Sequence, residues 1–408
     1  MVIGGQMEQH DMPSDSDDTS AILDAWKQLD SVSGSRLVEL TASLEAPGAA
    51  DIQRFRREWP PPVVSAAIEL AQARRRAAAK FTRASELWCD TSGVEQATSQ
   101  RVGEWKARRF VEGQVTSVLD LCCGIGGDAM ALRSHCEVHA VDLDPLRCWM
   151  TARNAGCTAS VEDVTKLDPS GRYVHVDPAR RDEASGRRSW NPEHHRPRWS
   201  EITELLDRSR GAACKLGPGI PLPLEGAPMS TEYELIQDSG QLVQAVLWTG
   251  DLARDPGTHR ATMLPEGRSV SGPPGSVRIS SDLPESGTWL IEACPALERA
   301  RLVSHQLGDR TDVGELSAGL GLMWSRTPVA DPWFVDWRIE AVLPLRERPL
   351  KRWLRAHDAG EVVVRTRGRA VDPDTWSKSL RGSGATPWVV FALRLGSTTR
   401  AIVTHWTG

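Results

Sequence analysis

Residues 118–132 read VLDLCCGIGGDAMAL. A short apolar run meets Gly124, Gly126 and Gly127, and a helix-forming run follows at once. Glycines at that density let the backbone turn sharply and approach a ligand closely. A helix opening directly after the bend presents free N–H groups to an anion. From Val115 onward the pattern repeats strand then helix. CEVHAVDLD is a second strand, and PLRCWMTARNAG is a helix with proline at its start and glycine at its end. ASVEDV, YVHVD and GAACKLGPGI supply three more strands. Strands alternating with helices build a parallel sheet with right-handed crossovers. The fold class expected is therefore α/β, with a Rossmann-like sheet. YELIQD, QLVQAVLW and HRATML follow without helices between them and predict antiparallel strands finishing the sheet.

A chain of 408 residues leaves room for two or three domains. Residues 1–18 are polar and acidic and read as a disordered lead-in, not a signal peptide. Residues 19–112 have helical periodicity, interrupted by Pro60-Pro61-Pro62 before AAIELAQARRRAAAKF. Ser92 with Glu95 three residues on reads as a capping box opening one helix, GVEQATSQRVGEWKARRF. Residues 113–270 hold the sheet. Residues 266–288 are rich in Gly, Pro and Ser and read as a linker. Residues 271–408 form a separate α+β module. Its expected helices are ALERARLVSHQLG, RPLKRWLRAHDAG and PDTWSKSLRGSG, and its strands WFVDWRIEAVLPL, EVVVRTRGRAV, WVVFALRLG and RAIVTHW.

Several functional classes are disfavoured. No CxxC pair and no Cys/His cluster with zinc spacing occurs among the eight cysteines, so no metal site is expected. No apolar run reaches the ~18 residues of a membrane span. A reduced, cytoplasmic protein is the expectation. The net charge of −5 names no partner. Local charge says more, because Arg346 to Arg369 carries eight Lys/Arg against three acids.

The cofactor residues expected are Asp120, Cys122, Gly124, Gly126, Gly127, Asp142, Leu143, Asp163 and Val164. Asp142 closes the second strand, where an acid accepts hydrogen bonds from ribose hydroxyls. These features fit NAD as well as S-adenosylmethionine. Two details favour the latter. The G-I-G-G loop lacks the third glycine that lets a helix cradle pyrophosphate. Asp120, at the end of the first strand, would attract an ammonium and repel a pyrophosphate. Asp163 could then accept from an adenine amine.

These residues resemble the class I methyltransferase family. VLDLCCGIGGD is similar to its first motif, VHAVDLDP to its second, VEDV to its third and VDPAR to its fourth. ELWCDTSGVEQATSQRV together with CCGIGGD and VDLDP resembles the trimethylguanosine synthase group of RNA methyltransferases. The whole order, with DPARR and a late RTRG strand, resembles bacterial class I methyltransferases with a C-terminal THUMP-like domain. The resemblance implies S-adenosylmethionine as cofactor and RNA, tRNA or rRNA, as partner.

The catalytic residues expected are Asp177, Pro178 and Arg180. A carboxylate at the end of the fourth strand can hold an amine acceptor, and proline fixes the turn. Amino-methyltransferases carry Asp/Asn-Pro-Pro-aromatic here, whereas this chain has Ala179-Arg180. A guanidinium plane can stack on a base or grip a phosphate. An alternative pairs Arg180 and Arg181 with Asp182 and Glu183. Uracil C5 methyltransferases have a similar Asp-Pro-Pro-Arg but need a cysteine nucleophile, and Cys214 sits inside a strand. The expected function is methyl transfer to a nucleobase nitrogen of structured RNA. A non-catalytic RNA-binding protein, or a methyltransferase acting on a small molecule or a protein, stands as the alternative.

Overall fold

The computed structural model describes residues 15–179, 192–280 and 282–405. The chain divides into two compact units. The first comprises Met1–Thr231 with Val246–Pro256, the second Glu232–Ala245 with Gly257–Gly408. Arg180 and Arg181 lie outside the described residues.

The first unit opens with helices α1 (Asp15–Gln28), α2 (Val32–Ala42), α3 (Ala49–Phe55) and α4 (Pro61–Ala77). Helix α1 starts within the stretch expected to be a lead-in. Pro61 forces the preceding residue into extended backbone, so α4 begins there. The helix buries Val63, Ala67, Leu70, Ala71 and Ala77 along one stripe.

Helices α5 (Thr91–Gln96) and α6 (Gln100–Glu112) correct the single helix expected. Asp90, not Ser92, caps α5, accepting from the Gly93 N–H at 2.9 Å. Helical bonds stop at Ala97–Ser99 because tertiary partners replace them. The Lys80 ammonium donates to the carbonyls of Val94, Glu95 and Ala97 at 2.8–3.0 Å. The Thr98 hydroxyl donates to Asp128 at 2.7 Å.

The sheet follows as β1 (Ser117–Leu121), α7 (Gly127–Arg133), β2 (Glu137–Asp142), α8 (Pro145–Ala155), β3 (Thr158–Val161), β4 (Tyr173–Val176), α9 (Trp199–Arg208) and β5 (Gly211–Leu216). These strands run parallel in the order β3-β2-β1-β4-β5. The early helices share one core with the sheet's helices: Leu37, Phe55, Leu70 and Cys89 cluster with Ile125, Leu146 and Met150.

In the second unit β6 (Glu232–Asp238) leads through a turn into β7 (Gln241–Gly250), whose second half belongs to the first unit. Strand β8 (His259–Leu264) pairs with β6 in parallel, where antiparallel pairing was expected, because β7 intervenes in the chain as a hairpin. Strand β9 (Arg268–Gly272) pairs antiparallel with β8 and converts the front of the expected linker into sheet. A second sheet runs β11-β12-β10-β13-β16-β15-β14. Its elements are β10 (Trp289–Ala293), α10 (Pro295–Arg299), α11 (Val303–Leu307), β11 (Gly314–Glu315), β12 (Leu322–Ser325), β13 (Phe334–Pro344), α12 (Glu347–Ala356), β14 (Ala359–Arg367), α13 (Pro373–Leu380), β15 (Thr386–Leu395) and β16 (Thr398–His405). The helix expected over 296–308 is two short ones, parted at Arg301, whose φ is +57°.

Alternation along β15 sorts its residues to two cores. Trp388 and Val390 face Leu350, Leu354 and Leu380 of the covering helices. Val389, Phe391 and Leu393 face Leu322, Trp337 and Ile402. On β14, Arg365 and Arg367 both donate to Glu292, at 2.7 and 2.6 Å, and Arg365 lies over the Trp337 ring. These two arginines of the basic run are therefore structural. Glu292→Ala removes the shared carboxylate and is expected to cost about 1.5–3 kcal/mol, read as a lower unfolding midpoint in urea.

Candidate active site

Parallel register decides what meets at the carboxyl edge of the first unit's sheet. Leu121 is level with Val141 and with Val176, Asp142 with Val161, and Val176 with Cys214. The next residues outward are Cys122, Asp142, Asp177 and Lys215, with Asp163 two residues beyond the end of β3, so five strands contribute. One edge thus carries four strand-end positions expected from sequence and one that was not.

The glycine loop is built by its neighbours. Cys122 and Gly124 have φ of +58° and +57°, and Gly126 caps α7 at +84°. Each glycine serves a different need. A Cβ on Gly124 would meet nothing within 4 Å, which leaves open space above the loop. A Cβ on Gly126 would press on Thr151 at 3.1 Å, and one on Gly127 on the Thr98 carbonyl at 2.9 Å. The last glycine therefore admits the α5–α6 connection. Helix α8 braces the loop from below, with Thr151 donating to the Gly124 carbonyl and Asn154 to that of Ile125, both at 2.8 Å.

Asp142 accepts the Gly124 N–H on one oxygen and the Asp144 N–H on the other, each at 3.0 Å. A carboxylate has about four acceptor sites, so capacity remains for two hydroxyls. Burial pushes its carboxyl above the usual range, and the two N–H groups oppose that. Leu143 beside it is 63% exposed, an apolar platform in open solvent. Asp163 is a local cap: it accepts from the Thr165 amide and hydroxyl at 3.1 and 2.7 Å, which hold its carboxyl low. Val164 is buried beneath.

Asp120 lies under the edge. Only 1% exposed, it accepts from His175 Nδ1 at 2.7 Å through one oxygen, while among the described residues its Oδ2 has no partner. Burial raises its carboxyl. His175 Nε2 sits 3.2 Å from the Lys106 ammonium, and Lys106 pairs with Asp128 at 2.6 Å. All four side chains are buried. Burial alone would lift the Asp128 carboxyl, but Lys106 and His175 hold it far below the ordinary range. Sequence reasoning missed Lys106, Asp128, His175 and Lys215. A signal existed, since a charged or imidazole side chain inside an apolar strand such as YVHV or AACKL needs a buried partner.

Asp177 extends β4, its N–H donating to the Leu121 carbonyl at 3.1 Å. Its Oδ2 accepts from the Lys215 ammonium at 2.6 Å, and among the described residues its Oδ1 has no partner. Pro178 is buried, and Ala179 forms a two-bond bridge with Arg196 that fixes the chain's exit. Neither nearby thiol is activated: burial and the carboxylates of Asp142 and Asp177 raise the partly exposed Cys122 thiol, and Cys214 is wholly buried.

The buried network predicts a pH signature. With Asp128 held low, its ion pair contributes stability above pH ~4 that is lost as pH falls through the folded-state value. Lys106→Met leaves that carboxylate buried without its cation. The expected cost is about 3–5 kcal/mol near neutrality. It should shrink on acidification as Asp128 takes a proton, which urea melts at about pH 7 and about pH 5 will read.

An S-adenosylmethionine molecule fits these residues on the structure's own terms: open space over Gly124, an orphaned buried oxygen on Asp120, spare acceptor sites on Asp142 and an exposed Leu143. Comparison with known proteins agrees. Residues 115–168 match the family described as RNA cap guanine-N2 methyltransferase, and residues 336–405 the family described as THUMP domain-like. A crystal structure of a candidate methyltransferase from Porphyromonas gingivalis W83 has the same fold, with a TM-score of 0.65 over 97% of this chain and 100% of that one at 16% identity. Two curated S-adenosylmethionine-dependent methyltransferases of uncharacterized role, from Mycobacterium tuberculosis strains CDC 1551 and H37Rv, are each 31% identical over 362 residues, covering 83% of this chain and 95% of theirs. With identity sustained along that length and a sheet edge suited to the cofactor, this chain belongs to the family of S-adenosylmethionine-dependent methyltransferases.

Proposed function

We propose that this enzyme methylates a nucleobase nitrogen in structured RNA, tRNA or rRNA, in the cytoplasm. The observation that carries the reading is Asp177 at the end of β4. It stands on the same strand edge as the glycine loop and Asp142, with one carboxylate oxygen uncommitted among the described residues. In this reading residues 113–270 perform the transfer, and residues 271–408 hold the RNA.

S-adenosylmethionine, when bound, supplies a methyl group already activated on a sulfonium. The protein's work is then to position the acceptor and manage its proton. Asp142 would hold the ribose hydroxyls, Leu143 would back the adenine with Asp163 and Val164 at its border, and the second oxygen of Asp120 would serve the ammonium. Cys122, Gly124, Gly126 and Gly127 form the loop beneath. Asp177 accepts a hydrogen from the acceptor amine and aims the nitrogen lone pair at the methyl carbon. With the methyl carbon supplied and the C–S electron pair kept by the cofactor, the acceptor nitrogen's proton would pass to Asp177 or to water. Pro178 fixes the turn that sets this aim, and Arg180 takes the base or its phosphate. The likeness to the RNA cap guanine-N2 family supports a nitrogen acceptor over carbon, as do the wholly buried Cys214 and the raised thiol of Cys122. With Arg365 and Arg367 committed to Glu292 and Lys351 to Glu347, the cations of this run left to meet a polyanion are Arg346, Arg348, Arg352, Arg355 and Arg369, all exposed and without an ion pair among the described residues.

Two substitutions separate binding from transfer. Asp142→Ala loses charge-assisted hydrogen bonds worth roughly 1.5–3 kcal/mol each, so calorimetry should show S-adenosylmethionine affinity about tenfold or more weaker. Asp177→Ala should bind the cofactor like wild type yet transfer methyl about a hundredfold or more slowly. Nucleoside mass spectrometry of RNA from a deletion strain and its parent tests the reading itself. A methylated nucleoside missing from the deletion strain supports it, and identical profiles refute it.

A further inference from the structure

Lys215 has the strongest unclaimed geometry in the molecule. It lies near the end of β5, inside a fully buried strand, and is itself only 5% exposed. An ammonium this deep is costly to bury unless its hydrogens are taken. Two are: one by Asp177 Oδ2 at 2.6 Å, the other by the Gln96 carbonyl at 2.9 Å. The Gln96 carbonyl closes α5, just before the connection that packs on Gly127. One side chain thus joins the β4 exit, the β5 end and the segment lying against the cofactor loop.

The strand register places this cation beside Asp177. Cys214 is level with Val176, so the next position on each strand brings Lys215 beside Asp177. A carboxylate at a strand end could turn about its last side-chain bonds and offer either oxygen. The short bond to Lys215 removes that freedom and commits Oδ2. Only Oδ1 then remains for an acceptor. The pair also balances one charge against the other, so Asp177 offers a hydrogen-bond acceptor whose charge is met by Lys215. That suits an uncharged N–H donor better than a cationic amine.

We propose that Lys215 is a positioning residue for methyl transfer: it fixes Asp177 so that one oxygen faces an uncharged N–H acceptor, and it ties that aim to the α5 segment over the cofactor loop. This rests on the reading that Asp177 serves the acceptor. Lys215 touches neither cofactor nor acceptor in this scheme, so its loss should spare cofactor binding.

The experiment uses the full-length protein as Lys215→Met and Lys215→Arg, with labelled S-adenosylmethionine and total RNA from a deletion strain. The methionine variant should bind the cofactor with wild-type affinity by calorimetry. Its kcat should fall about a hundredfold, as expected for a misaimed group, and its pH–rate profile should move relative to wild type. The arginine variant, which keeps the charge and a forked donor, should recover much of the rate. Wild-type turnover in the methionine variant, or loss of cofactor affinity in step with activity, would overturn the proposal.

A second measurement does not depend on the acceptor. In urea melts, Lys215→Met should destabilise the protein strongly when Asp177 is present and weakly in an Asp177→Asn background, where no carboxylate is left unpaired. Equal destabilisation in both backgrounds overturns the pair whatever the substrate is. If wild type fails to label RNA while the melts show coupling, the RNA reading falls and the Lys215–Asp177 pair stands. If RNA is labelled but the melts show no coupling, the RNA reading stands and the pair falls.

Discussion

Lys106 is the group on which the carboxyl edge of the first unit's sheet depends. Its ammonium, buried on α6, supplies the positive charge in direct contact with Asp128 and His175. Through His175 it reaches Asp120, and through Asp128 it reaches Thr98. A helix that precedes the sheet in sequence thereby sets the charge state under the glycine loop. Hydrophobic packing alone would place α6 on the sheet with some latitude. A buried ion pair at 2.6 Å does not tolerate that latitude, because even a small displacement strands two charges in an apolar interior.

The helical region before the sheet is accordingly part of the site and not an appendage. Asp90 and Arg147 form a forked pair between α5's cap and α8, and the Asn154 side chain bonds both the N–H and the carbonyl of Trp88. Gly93 sits so close to Ile125 that a methyl there would meet it at 2.4 Å. The loop's shape thus draws on three directions: its own glycines, α8 below it and the α5–α6 segment above.

What could be read from sequence follows from what kind of force is local. The glycine loop, the alternation of β1 to β5 and the acids at strand ends were legible because each is a short-range pattern. The break between α5 and α6 was not, since Ala97–Ser99 is helix-compatible and only Lys80 and Asp128, distant in sequence, pull it open. In sequence Lys215 is overshadowed by its neighbour Cys214, although a lysine in an apolar strand asks for a partner. The basic run from Arg346 to Arg369 misled in the opposite sense. Charge density along a chain does not say which guanidinium groups an acid such as Glu292, 73 residues before Arg365, will claim.

Strand β7 divides at Ala245, and the chain passes between the two units at three points, after Thr231, Ala245 and Pro256. No single cut separates the units. Strands β6 and β8 take their cover from beyond residue 270: Gln237 accepts the Ala296 amide, and His259 bonds the Ala300 carbonyl. A protease nicking the chain near residue 275 would therefore part β6 and β8 in the sequence from the segment that covers them. Such interlaced connectivity makes the polypeptide an all-or-nothing object for evolution too. A fusion at one boundary could not transplant the second unit whole.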